Sequence, residues 1–113
     1  MSGEYVARYR YAKVSPRKAR LVIDKIRGCG VGQADDILRF SDRRAAVMIR
    51  KALASAVANA EKQGDVDRKS LKVTRCFIDC APVRKGWIPR SRGMATPLIF
   101  RSSHITIYVG EGN

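Results

Sequence analysis

From Glu4 to Lys13 apolar and polar residues alternate, with Tyr5, Ala7, Tyr9 and Tyr11 on one face and Arg8 and Arg10 on the other. A period of two over that length predicts a half-buried strand. Ser15-Pro16 then reads as a helix start. The serine hydroxyl can accept from the early helical N–H groups, and proline fits the first helical position, where its missing donor costs nothing. Ala19, Val22, Ile23 and Ile26 follow at helical spacing, and Gly28 with Gly30 places the end of this helix near Arg27. The apolar stripe leaves Arg17, Lys18, Arg20 and Lys25 on other faces.

Residues 32–40 fit a short helix, with Asp35 and Asp36 toward its positive N-terminal end. Ser41 or Asp42 is expected to cap the longest helix, about Arg43 to Gln63, which Gly64 would terminate. Val47, Ile49, Leu53, Ala56, Val57 and Ala60 supply its buried side, and the many alanines favour helix and close packing. The period returns to two over Leu71–Ile78 and over His104–Val109, where Ile105, Ile107 and Val109 share a face. These elements predict one α+β domain over residues 1–113: a three-stranded antiparallel sheet packed on two or three helices.

The segment between the last two strands is different in kind. Pro82 and Pro89 on the way out and Pro97 on the way back suit a two-stranded ribbon rather than a central strand, and Gly93 suits a tip. A long protruding β-hairpin at about residues 81–103 is expected. Ten or so residues on each side of the tip would reach roughly 30 Å.

Charge gives these elements a purpose. The chain has 113 residues, 23 Lys+Arg against 10 Asp+Glu, a formal net charge of +13 and a pI near 10.4, the footprint of a polyanion binder. Residues 1–30 hold eight basic residues against Glu4 and Asp24, whereas residues 31–64, with six basic and four acidic, read as a solvated, partly neutral face. Between Asp79 and Glu111 there is no acidic residue, while Arg84, Lys85, Arg90, Arg92 and Arg101 lie there. A thin, one-signed arm needs a partner for charge and for packing, and nucleic acid supplies both. Arg8, Arg10, Lys13, Arg17, Lys18 and Arg20 are the candidate phosphate-gripping residues of the body, unless they form a plain solvated face. In the arm, Trp87 is placed to stack on a base or ribose, or to pack on the opposite strand.

Other chemistries find little support. His104 is the lone histidine. Its neighbours Ser102 and Ser103 do not make a dyad with it, because adjacent strand side chains point to opposite faces. No phosphate-binding glycine loop or dinucleotide fingerprint is present. Cys29, Cys76, Cys80 and His104 make a nominal zinc set. However, Cys76 and Cys80, four apart on a strand, are separated by about 13 Å, and reduced thiols are expected. No run resembles a membrane helix or signal core, and the basic helix lacks the aromatic face of an interfacial one. The expectation is a cytoplasmic, non-enzymatic protein without cofactor or metal, membrane contact or homo-oligomer.

Four segments carry a resemblance: SPRKARLVIDKIRG (15–28), ASAVANAE (54–61), PRSRGMA (89–95) and SSHITIYV (102–109). In this order they resemble the bacterial form of the protein-twenty-two family of the large ribosomal subunit, over about Ala7 to Val109. The resemblance implies a body near the exit of the nascent-chain tunnel and a hairpin reaching inward. Its tip (Arg90, Ser91, Arg92, Gly93, Met94 and Ala95) would line the tunnel constriction. It implies binding to large-subunit rRNA, with neighbouring ribosomal proteins and the nascent polypeptide as further partners, and a part in early assembly. The implied rRNA-binding set is Arg8, Arg10, Lys13, Ser15, Arg17, Lys18, Arg20, Arg84, Lys85, Trp87, Arg90, Arg92, Arg101, Ser103 and His104. The family is typically basic at several hairpin positions where this chain has Gly86, Met94, Pro97 and Phe100, so apolar packing of Met94, Pro97 and Phe100 is expected there. The alternative from another class is a free-standing RNA-binding regulator or RNA chaperone.

Overall fold

The chain runs β1 (Glu4–Ala12), α1 (Pro16–Ile23), α2 (Val31–Arg39), α3 (Arg44–Gly64), a 3-10 turn (Arg68–Ser70), β2 (Leu71–Cys80), β3 (Arg84–Pro89), β4 (Ala95–Phe100) and β5 (Ser103–Glu111). The computed structural model describes residues 4–64, 67–81, 84–89, 95–100 and 102–111, with β3 and β4 described by their backbone.

The last strand is the middle one. A three-stranded antiparallel sheet has the order β1-β5-β2, so β5 pairs with the first strand on one side and with β2 on the other. Ile105, Ile107 and Val109 on its inner face are fully buried, as their alternation predicts. The helices cover that face: α3 lies against β1 and β5, α1 against β2 and α3, and α2 against α3. Beyond the body, Ala81 N–H donates to Ser102 O at 3.1 Å. β3 and β4 then form a separate two-stranded sheet from Arg84↔Phe100 to Pro89↔Ala95. Pro89 and Pro97 thus lie in a ribbon, where a missing donor does not interrupt a central ladder. The molecule measures 63 × 26 × 17 Å with a radius of gyration of 17.2 Å, against about 13 Å for a compact domain of this length.

Ser15 caps α1 as expected, accepting from Lys18 N–H at 3.3 Å with Pro16 at the helix start. Four expectations are corrected. First, α1 ends at Ile23 rather than near Arg27. Tighter turns follow, with Lys25 N–H to Val22 O at 3.1 Å and Ile26 N–H to Ile23 O at 3.2 Å. The chain swings there to reach β2. Gly28, at φ 81, donates to Val73 O at 3.0 Å, and Val73 N–H donates to Cys29 O at 2.8 Å. The left-handed backbone favours glycine at that corner.

Second, Val47 is exposed, and the buried side of α3 is Ala45, Ala46, Ile49, Ala52, Leu53, Ala56, Val57 and Ala60. At about 100° per residue, Val47 lies on the far side of the helix from Ile49. Third, Tyr11 is exposed, with φ 56 and a register shift between Tyr9 and Ala12. The bulge turns Tyr11 outward and puts Ala12 inside. Fourth, Asp35 and Asp36 lie beyond the first turn of α2, where Asp35 pairs with Arg50 of α3 at 2.8 Å and Asp36 with Arg39 at 2.9 Å.

Side chains satisfy carbonyl groups along both outer strands. Asn59 of α3 donates to Val6 O of β1 at 3.1 Å. Along β2, Arg27 donates to Cys76 O at 2.9 Å and Arg20 to Ile78 O at 3.1 Å. Hydrogen bonds of this kind contribute about 1 kcal/mol each. Arg20→Ala is expected to lower stability by about that amount, while Arg17→Ala stays within about 0.5 kcal/mol. Urea titration followed by far-UV circular dichroism distinguishes the two, and equal effects would remove Arg20 from this role.

Candidate nucleic-acid interface

Among the described residues, five exposed ion pairs use up part of the positive charge: Arg27–Asp24, Arg39–Asp36, Arg50–Asp35, Arg68–Glu61 and Arg75–Glu4. Their exposure makes them minor contributors to stability. They do, however, show where charge is already neutralised. Among the described residues, Arg8, Arg10, Lys13, Arg17, Lys18, Arg43 and Arg44 are exposed and take part in no ion pair, and the same holds for the more scattered Arg20, Lys25, Lys51, Lys62 and Lys69.

Arg8 and Arg10 stand on the sheet face away from the helices, because Ala7 and Tyr9, which alternate with them, pack against the core. Arg8 lies opposite Thr106, which in turn lies opposite Phe77 of β2. On the same face the Arg75 guanidinium sits 4.1 Å from the Tyr108 ring centroid, and the Phe77 and Tyr108 rings are 6.1 Å apart. Arg75 is already paired with Glu4, so Arg8 is a cation this face leaves for a phosphate beside partly exposed rings that a base can meet.

The link from β1 to α1 is held at several points. Ser103 Oγ donates to Val14 O at 2.7 Å, Val14 N–H donates to Ala12 O at 2.8 Å, and Tyr11 N–H donates to His104 Nδ1 at 3.1 Å. The Tyr11 and His104 rings meet edge-on, with centroids 4.7 Å apart. Ser103, one of the expected site residues, is fully buried, and its hydroxyl anchors the loop that carries Lys13. His104 is half-buried and orders the same loop. Arg20 is likewise engaged with the β2 edge. Its other neighbour is the exposed Cys80, with Nη2 4.0 Å from Sγ.

The structure adds two residues that the sequence reading left in a neutral face. Arg43 and Arg44 line a cleft of about 370 Å³ together with Lys13, Val14, Ser15, Lys18 and Ala45. The available signal was a pair of arginines directly after the capping candidates Ser41 and Asp42. A helix start more often carries acidic residues, which its dipole favours.

Of the arm, Arg84, Lys85, Trp87 and Ala95 are placed on paired strands by their backbone. Arg90, Ser91, Arg92, Gly93, Met94 and Arg101 lie outside the described residues. Gly86, Pro97 and Phe100 also fall on the paired strands.

The three cysteines have separate surroundings. Cys76 is buried, with Sγ 3.7 Å from Ile23 O, and burial pushes its thiol up from the ordinary value. Cys29 is half-buried against Lys25 O at 3.6 Å. The hydrogen bond from Arg27 to Asp24 holds the Arg27 guanidinium above its usual value despite some desolvation.

No helix among the described residues is long and apolar enough to cross a membrane. A family model described as ribosomal protein L22p/L17e matches residues 7–110.

Proposed function

Because the chain belongs to the ribosomal protein L22p/L17e family, we propose that it binds large-subunit rRNA as a structural constituent of the ribosome, supports early subunit assembly, and lines the nascent-chain tunnel with its β3–β4 ribbon. Proteins of this family are cytoplasmic, rRNA-binding components of the large subunit, of a structural and non-enzymatic kind.

The observation that carries the reading is the extent of the match, which takes in the body and the ribbon together. The molecule's shape supports it. A two-stranded sheet outside the main one, in a molecule 63 Å long and 17 Å thick, suits an arm that inserts between RNA segments. So do the cations left outside ion pairs, which are placed to neutralise phosphates. The nascent chain and neighbouring ribosomal proteins are the further partners of this reading. Arg90 and Arg92 are its residues at the tunnel wall.

Sedimentation of tagged protein from cell extract through a sucrose gradient in moderately high salt tests it. The protein is expected to migrate with the large subunit. Recovery only at the top of the gradient, bound to RNA but to no particle, would instead support a free-standing RNA-binding regulator.

A further inference from the structure

The cleft between the starts of α1 and α3 has a composition that its position in a folded core does not require. Four cations, Lys13, Lys18, Arg43 and Arg44, line it with Val14, Ser15 and Ala45, and no acidic residue does. All four are exposed, and none takes part in an ion pair among the described residues. Asp42 is next to Arg43 in sequence but does not line the cleft. Gathering four like charges around one concavity is unfavourable for the isolated chain, and an anion in the cleft reverses the sign of that interaction.

Local structure reinforces this preference. Both helices begin at the cleft without an acidic residue in the first turn, so their positive dipole ends add to the side-chain charge. The Lys13 loop is set in advance by the buried Ser103–Val14 bond and by the left-handed turn at Tyr11.

Resting on the proposed rRNA-binding function, we propose that this cleft seats backbone phosphates of the RNA, as a clamp on the body separate from the arm. Its size is near the lower end of ordinary ligand pockets, about 300–1,000 Å³. It contains no aromatic side chain on which a base would stack. Lys13, Lys18, Arg43 and Arg44 therefore grip phosphate oxygens without reading base sequence.

The test is filter binding of the full chain to deproteinised large-subunit rRNA over a range of KCl concentrations. Each phosphate contact contributes about 0.7–0.9 to the slope of log affinity against log salt. The double variant Lys18→Gln/Arg44→Gln is expected to lose about 1.4–1.8 from that slope. The charge-preserving Arg44→Lys and the remote double variant Lys51→Gln/Lys62→Gln should keep it. Thermal unfolding of each variant checks its fold. A wild-type slope that survives in Lys18→Gln/Arg44→Gln overturns the clamp and leaves the proposed function standing. Wild-type protein with no salt-dependent RNA affinity overturns the function and the clamp with it.

Discussion

Ile107→Ala is expected to destabilise the protein by about 2–5 kcal/mol, the usual cost of truncating a fully buried branched side chain to a methyl group. Ile107 has no exposed surface and lies on the central strand between Ala7 of β1 and Cys76 of β2. Its neighbours on the strand, Ile105 and Val109, are equally enclosed, and α3 closes the layer above. Its small cross-strand partner Ala7 has little side chain with which to collapse into the gap. A domain of this size has about 5–15 kcal/mol in total, so the loss is a large share of what holds the sheet. Urea unfolding followed by circular dichroism measures it. Phe40→Ala, at a residue 82% exposed, should stay within about 0.5 kcal/mol. If both variants shift the midpoint equally, the packing assigned to β5 is wrong.

The second large effect concerns charge. Neutralising Arg8, Arg10 and Arg17 together to Gln should flatten the salt dependence of rRNA binding by about 2–3 in slope, at 0.7–0.9 for each phosphate contact. Between 50 and 200 mM salt, that removes about 20- to 40-fold from the affinity loss the wild type suffers. The three side chains are exposed and make no ion pair among the described residues, so melting temperature should hardly move. An unchanged slope would assign these arginines to plain solvation.

Periodicity carried most of the fold because it reflects which side of an element faces the core. The alternation of Ile105, Ile107 and Val109 translated directly into the buried face of β5. The Ser15-Pro16 pair became a working cap. Periodicity failed where geometry breaks its own repeat. The bulge after Tyr9 carried Tyr11 out of the face it was assigned to. In α3 the buried side kept Ile49, Leu53, Ala56, Val57 and Ala60 and took in Ala45, Ala46 and Ala52, whereas Val47 lay on the opposite side.

The site was legible as a list of basic residues but not as an arrangement. Nothing local in sequence joins Lys13 and Lys18 to Arg43 and Arg44. The packing of α1 against α3 brings them together. Likewise, a buried hydroxyl such as that of Ser103 cannot be told from an exposed one until the loop opposite it is known.

The outer strands of the main sheet have carbonyl groups already engaged by side chains. Asn59, Arg20 and Arg27 occupy carbonyl groups that a second copy would otherwise approach, and the 28–30 turn covers the Val73 end of β2. The main sheet therefore offers few sites at which strand addition could begin. Hydrogen bonds that hold the helices in place thus also guard the two edges of the main sheet.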